Sequence, residues 1–223
     1  SPTYGSNTWN VYAYNGTDRS ISSSQKDFGS YSNSTLNINS TNQWSSSTSP
    51  SDASGWSGVT APIDIHTVRY MRTGVPTSGK YGIHVVTHDD DARLLLNGSQ
   101  VWDQTGCCAD RGYVWCGDLN SSSQLDFRVQ EGCGGSNLNV EFDVFPVDGT
   151  AGINSWNVFA YNNSTPGTDY VGYYTHSSQD FNTETRWGRT QALSYSTVNA
   201  TGGDGYKGCS TGIDNYSYRY KRT

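Results

Sequence analysis

Short phrases of this chain return after an interval of about 147 residues. WNVYAYNG (Trp9 to Gly16) reappears as WNVFAYNN (Trp156 to Asn163), LNINSTNQW (Leu36 to Trp44) as QDFNTETRW (Gln179 to Trp187), and GWSGVTAPIDIHTVRYMRT (Gly55 to Thr73) as GYKGCSTGIDNYSYRYKRT (Gly205 to Thr223). Such an interval is the length of a domain, whereas solenoid repeats recur every ~20–50 residues. The chain therefore reads as one complete module over residues 1–150 and the N-terminal half of a second over 151–223. The half-module carries Trp156, Phe159, Tyr161, Phe181 and Trp187 but lacks the strands that would cover them. Exposed apolar faces and unpaired sheet edges invite association, so something must complete it. Truncation of a longer repeat protein is the plain reading. Docking on the first module and strand donation by a neighbouring subunit are the others. If the half-module is completed in this way, the strand around Tyr216 to Tyr220 should pair with residues outside 156–223.

The local pattern is that of an all-β protein. In Tyr81 to Trp102, YGIHVVTHDDDARLLLNGSQVW, apolar residues recur with a period of two on both sides of three consecutive carboxylates, Asp89, Asp90 and Asp91. Asn97-Gly98 supplies the positive-φ pair of a two-residue hairpin turn. A second alternating stretch, Leu125 to Val144, predicts another hairpin closed by EGCGGSN, whose glycines free backbone carbonyls to turn inward beside Glu131 and Asn137. Two acidic, oxygen-rich strand ends suit a hard divalent cation, above all Ca²⁺, which takes about six to eight oxygen ligands. A solvated acidic loop is the plainer alternative for the aspartates alone.

At this point the residues resemble a known family. SGKYGIHVVTHDDDARLLLNGSQVWD is similar to the signature of PA14 domains, with His88 to Ala92 at the positions of the family's sDDGa. IHTVRYMRTGVPTSGKY resembles the segment leading into that signature, and LDFRVQEGCGGSNLNVEFDV the last two strands, so the likeness spans about residues 9–145. It implies a PA14-like β-sandwich or barrel with long loops. In the lectin-like branch it also implies two aspartates, here Asp89 and Asp90, joined by a cis peptide and chelating a Ca²⁺ that ligates sugar hydroxyls. The family's glycine after the pair is Asp91 here, which means either a third ligand or an altered loop. The full candidate metal set is Asp89, Asp90, Asp91, Glu131, a carbonyl near Gly134, and Asn137. The phrases WNVYAYN, GYKGC and GCC…VW also resemble segments of tandem-repeat surface proteins of gliding and polysaccharide-degrading bacteria.

Sugar contacts are expected from Asp90, Asn137 and the loop GCCADRGYVWCG, in which Tyr113 and Trp115, with Trp102 nearby, offer flat apolar rings. The competing reading puts both tryptophans in the core. Four cysteines in the complete module favour disulfides and export. Of three connectivities, Cys116 with Cys133 and a vicinal Cys107 with Cys108 is preferred over distant partners for both vicinal residues. A zinc site lacks the usual paired spacing, and Cys209 has no evident partner.

Charged residues make up only 15% of the chain and the formal net charge is −6, which gives no basic patch for nucleic acid or membrane surface. No apolar run is long enough to span a bilayer. Four scattered histidines and the absence of nucleophile or metalloprotease motifs argue against an enzyme. Asp89 and Asp90 cannot flank a scissile bond from two sides as a glycosidase pair must. The sequence thus points to a secreted, cell-surface, calcium-dependent carbohydrate-binding adhesion module with glycan as partner. A structural filament subunit, self-associating through residues 152–223, and a targeting module of a carbohydrate-active enzyme are the alternatives.

Overall fold

The computed structural model describes residues 1–183, 192–195 and 205–223; Trp187 lies outside the described residues. Sixteen strands are described: β1 Gly5–Ser6, β2 Trp9–Asn15, β3 Asp27–Asn33, β4 Ile38–Asn39, β5 Ser57–Gly58, β6 His66–Thr73, β7 Gly79–Asp89, β8 Ala92–Leu96, β9 Ser99–Gln104, β10 Gly112–Leu119, β11 Gln124–Glu131, β12 Asn137–Val144, β13 Trp156–Tyr161, β14 Tyr170–His176, β15 Lys207–Gly208 and β16 Ser217–Lys221. They form three sheets, ordered β5-β3-β2-β6-β11-β8-β9 with β1 beside β6, then β10-β7-β12-β4, and β15-β14-β13-β16. The fold is all-β, with short 3-10 turns and, among the described residues, no helix long and apolar enough to cross a membrane.

The chain divides into two compact units, the first comprising residues 1–78, 85–111 and 119–141. Its core follows the period of two: Val11, Ala13, Val68, Tyr70, Leu94, Phe127 and Val129 of the large sheet are buried, as are Val85, Leu138, Val140 and Ile38 of the smaller one. Trp9 meets Tyr70 and Phe127 edge-on, with centroids 6.0 and 6.3 Å apart. Asn97 and Gly98 take φ of 50° and 82° and close the β8–β9 hairpin as the sequence predicts.

The second predicted hairpin does not form. β11 belongs to the large sheet and β12 to the small one, so residues 132–136 carry the chain from one sheet to the other. Alternation reports which side chains are buried but not which strand lies alongside, and two consecutive amphipathic strands serve a sandwich corner as well as a hairpin. Residues 89–92 make the reverse crossing, from β7 into β8. Because β8 and β11 are antiparallel neighbours, with Ala92 opposite Val129, the two crossings lie side by side. This arrangement positions the candidate site.

The second unit comprises residues 79–84, 112–118 and 142–223. Its sheet repeats one end of the first. β13 pairs β16 as β2 pairs β6, with Val158 opposite Tyr220 and Val11 opposite Tyr70, and each copy has an irregularity at the same alanine–tyrosine step, Ala13/Tyr14 and Ala160/Tyr161. Arg72 reaches Asn7 Oδ1 at 2.8 Å and Arg222 reaches Asn154 Oδ1 at 3.1 Å. The hydroxyls of Tyr31 and Tyr70 are 3.1 Å apart, those of Tyr174 and Tyr220 2.8 Å. Gly29 and Gly58 face each other in one copy, Gly172 and Gly208 in the other; a side chain at any of them would strike backbone of the paired strand.

One side of the second unit's sheet packs Val158, Ala160, Tyr174, Tyr206 and Leu193 together. The other packs Phe159, Tyr161 and Tyr170 with Phe145, Tyr113 and Tyr173. The strand around Tyr216 to Tyr220 was expected to pair outside residues 156–223, but β16 lies on β13. The register inherited from the first copy already supplies a partner inside the segment.

The cysteine pairing also departs in part from expectation. Cys107 and Cys108 are bonded to each other, but Cys116 is bonded to Cys209 and Cys133 is an exposed thiol. Cys116 on β10 and Cys209 after β15 belong to the same compact unit, where the Cys209 N–H is held by the Val171 carbonyl at 3.0 Å. Sequence proximity favoured Cys133, and packing overrode it.

Candidate functional site

The two crossings of the first unit bring three carboxylates together. One oxygen from each of Asp89, Asp90 and Glu131 lies within 4.8 Å of the others. The Asp89–Asp90 peptide is cis, as the family resemblance implied. Glu131 ends β11 opposite His66 and is 1% exposed, and neither of its oxygens has a hydrogen-bond partner in the protein. Asn137 begins β12, and its Oδ1 is likewise buried without a partner. Between these two residues the glycine-rich crossing folds onto the aspartates. The Gly132 N–H donates to Asp90 Oδ2 at 3.0 Å, and Gly135 lies directly against Asp89 Oδ2. Gly134 has φ of +94° and open space around it.

The electrostatics follow from crowding. Burial, then a hydrogen bond with Asp90 and its charge, pushes the Asp89 carboxyl up to about 6. Burial, then the charges of Asp90 and Asp89, pushes Glu131 up to about 7. Buried oxygens left unbonded cost about 1–3 kcal/mol each unless something satisfies them. The carboxylate oxygens and the amide oxygen of Asn137 are the ligand type that Ca²⁺ prefers, and the orphaned Glu131 and Asn137 groups fit such an ion.

The third aspartate is placed differently. Asp91 Oδ2 accepts from Arg19 Nη1 at 3.1 Å and Oδ1 from the Gly106 N–H at 2.7 Å, in a network where Asp103 also receives Arg19 and Arg93. Its carboxylate is thus spoken for, and it is not part of the three-carboxylate group. The residue that departs from the family's glycine pins the long β2–β3 loop, which carries Arg19, to the crossing.

The surroundings of the aspartates include contacts that the sequence did not reveal. The Asp90 N–H donates to the Gln130 carbonyl at 2.8 Å, and the Gln130 N–H to that of Asp91 at 3.0 Å. Arg111 Nε donates to His88 Nε2 at 2.9 Å, which leaves Nδ1 as the protonated nitrogen facing the Asp90 carbonyl at 2.6 Å. Burial keeps the His88 pKa below its ordinary value, in accord with a neutral ring. Trp102 meets that ring edge-on at 5.6 Å. His88 was marked by its position beside the aspartates, whereas nothing in the spacing marked Arg111. The vicinal disulfide adjoins the same place, with Cys108 Sγ 3.5 Å from Asp89 Oδ2.

Of the aromatic residues expected at a sugar-binding rim, Trp102 meets His88 as described, while Tyr113 and Trp115 belong to the second unit. Tyr113 donates its hydroxyl to Asp143, and its ring packs with His84, Phe145 and Tyr195 inside the second unit. Trp115, also on β10, lies over Gly117. Gly112, whose place beside Tyr113 reads as a loop, instead clears space for a ring, since a side chain there would strike Tyr195; a side chain at Gly82 would strike Tyr113 itself.

No family model matches this chain, and no curated protein matches its sequence. Among solved structures it is similar to a PA14 sugar-binding domain from an RTX adhesin, at 14% identity over 61% of this chain and 89% of that one, with a TM-score of 0.42. It is also similar to the PA14 domain of the antifreeze protein MpAFP, at 16% identity over 63% and 85% of the two chains, with a TM-score of 0.41.

Proposed function

We propose that the chain is an extracellular adhesion module that binds carbohydrate through a calcium ion held by Asp89, Asp90, Glu131 and Asn137. The observation that carries the reading is Glu131, a fully buried carboxylate whose two oxygens are unbonded and which stands within ligand distance of two further carboxylates. Three clustered carboxylates without a cation repel one another, and a divalent ion converts that repulsion into attraction. When bound, the ion supplies coordination positions for vicinal hydroxyls, in line with the motif resemblance around His88 to Ala92. The chain's own residues do the positioning. Gly132 and Gly135 close on the carboxylates, while Arg111 through His88 holds the Asp90 carbonyl.

Calorimetric titration with calcium, followed by a glycan array with calcium and again with chelator, tests both halves. Saturable calcium heat in the native chain and none in Asp89→Ala with Asp90→Ala is the expected result. Equal heats in both would sink the metal site. Glycan signals that persist in chelator would place sugar binding elsewhere.

A further inference from the structure

Nine of the eighteen asparagines open the pattern Asn-x-Ser/Thr with no proline at x, roughly twice what chance gives in a chain that is about a quarter Ser and Thr. The repeat keeps the pattern while changing the residues that make it. Asn15-Gly16-Thr17, where β2 ends, returns as Asn162-Asn163-Ser164, just after β13. The middle residue and the hydroxyl residue both differ, but the spacing from amide to hydroxyl does not.

The side chains divide the asparagines by which end of the amide the protein uses. Asn10 and Asn157 commit Nδ2, to the Thr3 carbonyl at 3.1 Å and the Thr150 carbonyl at 2.9 Å, and neither opens the pattern. Asn39, Asn97 and Asn120 do open it, and all three are exposed. Asn39 Oδ1 accepts from the Thr41 N–H at 3.2 Å and from the Thr41 hydroxyl at 2.7 Å. Asn120 Oδ1 accepts from the Ser122 N–H at 2.8 Å and from the Ser122 hydroxyl at 2.7 Å. In the β8–β9 turn, Asn97 Oδ1 accepts from the Gln124 N–H at 2.9 Å. A main-chain N–H can be met only by the amide oxygen, so Nδ2 of each is left to solvent, without a partner among the described residues.

These side chains combine what N-linked attachment requires: an accessible amide nitrogen, a hydroxyl two residues on, and a place on a surface turn. Attachment joins Nδ2 to the anomeric carbon of the sugar, breaks the bond from that carbon to the pyrophosphate oxygen of its carrier, and releases one proton from Nδ2. Oδ1 is not consumed, so the turns keep their hydrogen bonds. Asn97 and Asn120 stand on neighbouring turns where Leu96 lies opposite Leu125, at the other end of β8 and β11 from Ala92 opposite Val129. Sugars at those two positions leave the carboxylate group uncovered.

We propose that Asn39, Asn97 and Asn120 are acceptor sites for N-linked glycan, delivered from a lipid pyrophosphate carrier during export. These sites rest on the extracellular placement of the chain and are independent of the calcium ion.

The test is tandem mass spectrometry of peptides from the full chain recovered from the outside of its own source cells. A sugar mass is expected on the amide of each of the three residues and none on Asn10 or Asn157. Thr41→Ala, Ser99→Ala and Ser122→Ala, produced in the same cells, remove the hydroxyl but keep the main-chain N–H from which each asparagine accepts. Each should lose the sugar at its own site alone, while Thr41→Ser should retain it. External chain with no sugar on these three amides, sugar attached through Ser or Thr hydroxyls instead, or attachment unchanged in the three alanine variants would overturn the proposal and leave the extracellular reading standing. Chain found only inside the cell would overturn both.

Discussion

Gly135 packs against Asp89 so closely that even a methyl group on Gly135 would overlap Asp89 Oδ2. Gly135→Ala must therefore displace the carboxylate or the crossing that carries it. Calcium affinity should fall by about tenfold or more, a loss of roughly 1.4 kcal/mol or greater. Gly134→Ala is the control. Its Cβ would meet nothing within 4 Å, so only the strain of φ +94° is added, about 1–2 kcal/mol of stability with affinity little changed. Equal calcium affinities for Gly135→Ala and the native chain would show that this contact does not shape the site.

Glu131→Gln should act in opposite directions with and without metal. In chelating buffer the variant loses a buried, unbonded charge beside two others, and its melting temperature should rise by an amount equivalent to about 1–3 kcal/mol. In calcium it should gain less stability than the native chain, because one charged ligand is gone. A variant less stable than the native chain in chelator would show that Glu131 is satisfied in solution in some other way.

The raised carboxyls make metal-free stability pH-dependent. Asp89 at about 6 and Glu131 at about 7 hold their protons to higher pH in the folded chain than in the unfolded one, where they titrate near their ordinary values of about 4. The folded state therefore binds more protons across roughly pH 4 to 7, and stability contributed by these groups is lost as pH rises through that window. Thermal melts of chelated protein at pH 5 and pH 8 should show the lower melting temperature at pH 8, with calcium narrowing the gap. No difference between chelated and calcium-loaded profiles would detach these carboxyls from metal binding.

The bond between Cys116 and Cys209 spans 93 residues of sequence. Closing a loop of that size removes about 4–5 kcal/mol of unfolded-state freedom in the chain-entropy account. Cys116→Ser with Cys209→Ser should accordingly lower the unfolding midpoint and speed amide exchange across β13 to β16. An isolated segment 152–223, which lacks Phe145, Tyr113 and Cys116, should exchange rapidly throughout. Native-like protection in that segment would show that its sheet is stable without them.

Much of the fold and site was legible in the sequence where the information was local. Alternation gave the strands, Asn97-Gly98 a tight hairpin, and the DDD triplet with EGCGGSN two oxygen-rich strand ends expected to share a cation. The cis pair came from the family resemblance. What failed depended on partners distant in sequence. The loop EGCGGSN reads as a hairpin turn, whereas it carries the chain from one sheet to the other, which a period of two cannot distinguish. Asp91 looked like a ligand until Arg19, 72 residues earlier, was seen to hold it. Tyr113 looked like a rim residue because glycine beside an aromatic reads as a loop, but the glycines make room for ring packing. Cys116 chose Cys209 for the same reason, through contacts that no spacing encodes.

Each copy of the repeat begins by running its first residues parallel to the end of its last common strand, Gly5 and Ser6 beside Arg72 and Thr73, and Gly152 beside Arg222. A pull that enters at the start of such a copy and leaves past its last common strand draws these two segments lengthwise in opposite directions. The hydrogen bonds between them, Asn7 to Thr73 at 2.7 Å and Asn154 to Thr223 at 3.0 Å among them, are then loaded in shear and share the force, instead of peeling open one after another. Tethered between two surfaces, the repeat would behave as a latch.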